Sequence, residues 1–134
     1  PMMSEPEFQV DDIGVIRTNR QLFNIVLDNL IDNAVKYNTL TVGLKINIGG
    51  ELLDDKVKIY VSDNGVGIAS EADDADVYMP FKRLSDNVTP PGFGLGLNIV
   101  KRAVKKLGGD VWYESTPGGG VTFYFTLLQA DLTY

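Results

Sequence analysis

Three short constellations in this sequence carry groups that could hold a flat, highly charged ligand. The first is Asn29-Leu30-Ile31-Asp32-Asn33-Ala34-Val35-Lys36-Tyr37. At about 100° per helical residue, Asn29, Asn33 and Lys36 fall in one narrow strip beside the apolar face centred on Leu30 and Phe23. Two amides and an ammonium on one edge can face a polyphosphate. An Asn oxygen can also ligate Mg²⁺, a hard cation that keeps several of its waters. The same residues would equally suit the solvent boundary of an amphipathic helix. The second constellation is Asp63-Asn64-Gly65-Val66-Gly67-Ile68. A carboxylate followed by two glycines lets the backbone turn sharply under a planar group, and ionised Asp accepts from an exocyclic amine. A plain Asp-Asn-Gly turn would have the same sequence. The third is Gly92-Phe93-Gly94-Leu95-Gly96-Leu97, which opens a helix and exposes backbone N–H groups where anions are favoured. It lacks the preceding buried strand of a dinucleotide fingerprint and the Lys-Ser/Thr ending of a P-loop.

The elements that must position these groups follow from periodicity. Residues 8–17 read as one or two short strands around Gly14. Thr18-Asn19-Arg20-Gln21 fits a capping box, and Leu22, Phe23, Val26, Leu27, Leu30 and Ala34 recur at helical spacing. This predicts a helix over 19–37, stopped near Asn38-Thr39. Residues 41–48 alternate as a strand, Gly49-Gly50 and Asp54-Asp55 mark a hairpin turn region, and 56–62 form the return strand. Residues 63–83 have no strong period, and 85–92 are a polar Pro/Gly-rich loop. A helix over 95–107 puts Leu97, Val100 and Val104 on its apolar side and is stopped by Gly108-Gly109. Strands at 111–113 and 121–128 are joined through 116–120. No regular strand–helix–strand alternation appears. The expected fold is therefore a mixed, mainly antiparallel sheet with helices on one face.

Composition narrows the function. The 134 residues suit a single domain over 1–134, and 44% hydrophobic with 22% charged residues is ordinary for a globular chain. A net charge of −6 argues against nucleic-acid binding, where phosphate contacts dominate affinity. The chain has no cysteine and no histidine. That removes thiolate chemistry, a Ser-His-Asp triad, His-ligated zinc and any phosphohistidine acceptor within it. No apolar run approaches the roughly 18 residues of a membrane span. The first residues do not read as a signal peptide, and a start at Pro1 suggests a fragment of a longer protein.

Taken in order and spacing, the three constellations resemble the N, G1 and G2 boxes of the histidine-kinase branch of the gyrase, chaperone, histidine-kinase and mismatch-repair ATPase superfamily. Met79-Pro80-Phe81-Lys82-Arg83-Leu84 resembles its F box, although the family more often shows a second Phe near Tyr78. Gly120-Val121-Thr122-Phe123 resembles the late strand whose threonine reaches the adenine pocket. The resemblance runs from about Val15 to Leu128. It implies a two-layer α/β sandwich that binds ATP and Mg²⁺, with a lid at about 70–91.

By that resemblance Asn33 is the metal ligand, Asn29 assists at metal or phosphates, Lys36 contacts phosphate and Tyr37 packs on the nucleotide. Asp63 accepts from the adenine amino group, Gly65 and Gly67 shape the pocket and Ile68 lines it. Phe81, Lys82 and Arg83 belong to the lid, with Arg83 the candidate for charge stabilisation and Lys82 its substitute. Gly92, Gly94, Leu95, Gly96 and Leu97 bring backbone to the phosphates, and Thr122 lies at the base.

Hydrolytic relatives carry Glu where this sequence has Asn29, and an amide cannot take a proton from water at neutral pH. The resemblance therefore implies transfer to an outside nucleophile, the imidazole of a dimerisation and phosphoacceptor domain in the same parent phosphoprotein. A response regulator would follow in a two-component signalling system. Asp28 and Asp32 turn away from the strip and are expected to be solvated. The alternatives are a conformational ATPase of the same superfamily or a non-catalytic nucleotide-binding module. A cytoplasmic, monomeric fragment without membrane contact is expected, whether or not a membrane anchors the parent.

Overall fold

Strict alternation along two strands sets the architecture. In the computed structural model, which describes residues 6–36, 38, 41–66, 95–116 and 118–129, Val57, Ile59 and Val61 are buried while Lys58, Tyr60 and Ser62 point the other way. The five strands are β1 (Glu7–Val10), β2 (Lys45–Leu53), β3 (Lys56–Asp63), β4 (Val111–Ser115) and β5 (Val121–Leu128). They form one sheet in the order β1-β2-β3-β5-β4. β1 pairs with β2 in parallel and every other pairing is antiparallel.

Two helices, α1 (Arg20–Lys36) and α2 (Leu95–Lys106), cover one face. Their apolar stripes meet the sheet through Val26, Leu30, Leu97, Val100 and Val104, each 1% exposed or less, against Phe125 and Leu127. Phe23 of α1 reaches the Phe125 ring at 6.0 Å. Leu22 and Ile25, early in α1, share a groove with Ile99, Arg102, Ala103 and Lys106 of α2. The early turns of α1 therefore lie beside the middle and last turns of α2.

Several boundaries differ from the sequence expectation. Asn19, not Thr18, caps α1: its Oδ1 accepts from the Leu22 amide at 3.0 Å. Only 7–10 of the first segment is a strand. β2 starts four residues later than expected and runs through Gly49-Gly50 to Leu53. The hairpin turn is Asp54-Asp55 alone, with Asp54 at φ 49°. The two glycines lie inside the strand: Tyr60 crosses the backbone at Gly49 to donate to Asp11 at 3.1 Å, and Gly50 packs against the Lys58 carbonyl and Ile59. α2 ends as expected, with the Gly108 and Gly109 amides donating to the Lys105 and Val104 carbonyls.

Candidate functional site

The site is built where β3 runs out. Period-2 alternation puts Asp63 on the same face as Val57, Ile59 and Val61, so the strand that forms the core also delivers a carboxylate to its edge. Asp63 is 4% exposed. Its Oδ1 accepts from the Gly65 amide at 2.9 Å and from the Val121 amide at 3.3 Å. Burial pushes its pKa above the ordinary carboxylate value, and the hydrogen bonds from Gly65, Val121 and Asn38 pull partly against that. Gly120, at φ 91°, packs directly on the backbone of Asp63, where any side chain would collide. The β4–β5 turn therefore closes on the carboxylate from one side.

From the other side comes Asn38, a buried residue just past α1. Its Nδ2 donates to the Ala34 carbonyl at 2.6 Å, and its Oδ1 accepts from the Val66 amide at 2.8 Å. Gly65 lies flat against this amide, and a Cβ there would overlap it. Asn64 turns outward, accepting from the Lys45 amide at 2.7 Å and donating to the Gly43 carbonyl at 3.2 Å. The glycine turn is thus pinned on three sides, which fixes Asp63 with respect to α1.

On α1 the strip is only partly as expected. Asn33 is 7% exposed, and its Nδ2 is buried without a hydrogen-bond partner. Such an orphan costs about 1–3 kcal/mol unless a ligand satisfies it. Asn29 is half-buried and spends its Nδ2 on the Ile25 carbonyl at 2.6 Å, one turn back. Lys36 is exposed and lies 4.0 Å from Asp32. Asp28 and Asp32 are both exposed, as expected.

Two expected contacts are corrected. Thr122 sits in register with Ser62 on the sheet face opposite the helices, and its hydroxyl bonds Ser62 at 2.8 Å and Thr116 at 2.9 Å. The residue beside Asp63 is its neighbour Val121, because one step along a strand changes face. Leu97 is 0% exposed and belongs to the core. It anchors the first turn of α2 instead of reaching a ligand. Leu95 and Gly96 open α2 as expected. Tyr37, Gly67, Ile68, Phe81, Lys82, Arg83, Gly92, Gly94 and the lid at about 70–91 lie outside the described residues.

Sequence reasoning passed over Asn38 and Val121. Asn38 reads as a helix stop, and nothing local indicates that it faces a residue 25 positions further on. For Val121 the signal was present in the alternation of β5.

A mixed five-stranded sheet backed by two helices, with this carboxylate at its edge, is the sandwich of histidine-kinase-type ATPase domains. Residues 18–131 match the family described as "Histidine kinase-, DNA gyrase B-, and HSP90-like ATPase", and the chain belongs to it. It is 35% identical over 124 residues to the adaptive-response sensory kinase SasA of Synechococcus sp. (strain JA-3-3Ab), covering 90% of this chain and 32% of that protein. The chain thus spans about a third of that relative. The nucleotide-free catalytic domain of histidine kinase ThkA superposes with a TM-score of 0.74 at 28% identity, covering 95% of this chain and 81% of that one. Full-length ShkA in complex with AMPPNP gives a TM-score of 0.72 at 26% identity, over 94% of this chain and 26% of that one.

Proposed function

We propose that this domain binds Mg²⁺-ATP and passes the γ-phosphoryl group to a histidine on a separate domain of its parent protein. The observation that carries the reading is the buried Asp63 carboxylate, fixed at the strand end by backbone amides. An acceptor-only group in that setting selects a ligand with an amine donor, as the adenine edge has. The ShkA complex with AMPPNP supports the same ligand class.

Asn33 fits the phosphate end. Its buried Nδ2 lacks a partner and can donate to a phosphate oxygen, while the amide oxygen is of the type that ligates a hard cation. Among the described residues no cluster of three or more His, Cys, Asp or Glu could hold a metal. Mg²⁺ would therefore arrive with the triphosphate, be held from the protein by Asn33, and neutralise charge on the phosphates. Lys36 exchanges a weak surface pair with Asp32 for phosphate. Arg83, or Lys82 in its place, supplies further positive charge, and the start of α2 offers backbone amides.

Asn29 distinguishes transfer from hydrolysis. Its amide is tied to the Ile25 carbonyl and has no basic atom to activate water. Phosphoryl transfer needs chiefly alignment and charge neutralisation, so an imidazole brought by the acceptor domain suffices. In this reading a response regulator lies downstream, the domain works in the cytoplasm, and it is monomeric when isolated. Among the described residues no helix is long and apolar enough to cross a membrane.

The test is transfer in trans. The chain is incubated with γ-labelled ATP and a histidine-bearing phosphoacceptor domain, with and without Mg²⁺. Acid-labile, base-stable label on the acceptor is expected, with negligible phosphate release by the chain alone. Steady phosphate release without acceptor labelling would instead make it a hydrolytic ATPase. Binding without either would make it a nucleotide-binding module.

A further inference from the structure

We infer that Asn38 is a positioning residue, a clamp that holds the base-reading carboxylate in register with the phosphate end of α1. The inference rests on the ATP-binding reading above and extends it to a residue that makes no ligand contact itself. Its amide orientation is fixed by its partners. A carbonyl, that of Ala34, must take a donor, and an N–H, that of Val66, must take an acceptor. Flipping the amide would break both bonds. Asp63 is reached through the turn itself: its Oδ1 accepts from the amide of Gly65, whose α-carbon lies against the Asn38 amide. One side chain therefore ties the last turn of α1, next to Asn33, to the glycine turn, and through that turn it positions the carboxylate.

The surroundings admit little else. Asn38 is 4% exposed. Gly65 leaves its α-carbon bare where the amide lies, so the glycine of the turn is required by Asn38 as much as by the ligand. A shorter side chain would take away the donor to the Ala34 carbonyl and the acceptor for the Val66 amide. A carboxylate at the same position could accept from Val66. It could not donate to Ala34, and it would set a second negative charge against Asp63. A residue that only ended the helix would need none of these bonds.

The consequence is coupling between base selection and phosphate alignment. With the clamp, the distance from Asp63 to Asn33 is set before the nucleotide arrives. Without it, the Asp63–Val66 turn and α1 move independently, and adenine loses its advantage over guanine before overall affinity collapses.

The experiment compares ATP and GTP binding by calorimetry for the wild type, Asn38→Ala and Asn38→Asp, with folding checked by circular dichroism. For the loss of one buried hydrogen-bonded link, the ATP/GTP preference is expected to fall about tenfold in Asn38→Ala, and further in Asn38→Asp. Folded variants that keep the wild-type preference would overturn the clamp and leave the ATP site intact. A folded wild type that fails to bind ATP would remove the functional reading and the clamp together. If neither variant folds, hydrogen exchange on the wild type decides. The Val66 amide should be protected like those of β3, and an unprotected Val66 would show that the clamp does not form.

Discussion

Asp63 is a buried carboxylate whose protonation affects both folding and the proposed ligand. Burial raises its pKa in the folded state, so the folded protein binds this proton more tightly than the unfolded chain does. Its contribution to stability is therefore fullest below the ordinary carboxylate range and is lost as pH rises through the raised value. Ligand binding has the opposite sign, because an amine donor needs the ionised form. ATP affinity should weaken as pH falls through that raised pKa. Asp63→Asn separates the two effects, since an amide oxygen can still accept from Gly65 and Val121. The variant should melt no lower than the wild type at neutral pH. It should bind ATP about tenfold to a hundredfold more weakly, the range expected for losing a charged hydrogen bond, with the acid-side pH dependence gone. Melting curves and titrations across pH check both halves.

At the scale of elements, the start of α1 is held by end chemistry that is separate from the site. Asn19 caps α1 at the end opposite Asn33 and Asn38. Asn19→Ala should lower stability by about 1 kcal/mol in denaturant melts and leave ATP affinity unchanged. A parallel loss of affinity would mean that α1 does not behave as one rigid rod. The helices and β5 were legible in the sequence because apolar spacing and glycine stops agree there. β2 was not. Gly49-Gly50 has the composition of a turn, yet Tyr60 reaching across to Asp11 requires a bare backbone within the strand. The cap was misplaced by one residue, because Thr18 and Asn19 are both good caps and only the Leu22 amide distinguishes them.

For the whole molecule, the site is a product of topology. Placing β5 beside β3 brings the amide of Val121 and the bare backbone of Gly120 to Asp63, residues almost sixty positions apart. The sequence motifs named Asp63, Gly65 and Asn33 without this geometry, because ligand-facing residue types recur in a fixed order. They did not by themselves reveal that Thr122 lies behind the sheet, although the alternation of β5 carries that signal. Nor could they reveal Asn38, whose role exists only once α1 and the glycine turn meet.

On the proposed function, this edge of the sheet is an adenine-selective, Mg²⁺-linked nucleotide pocket. Titration calorimetry of the folded wild type with ATP, with and without Mg²⁺, against GTP and against Asp63→Ala, tests it most directly. ATP binding is expected to strengthen with Mg²⁺, to exceed GTP binding by about tenfold or more, and to be abolished by the substitution. Equal affinity for the two nucleotides, or no binding by a folded sample at high concentration, would contradict it.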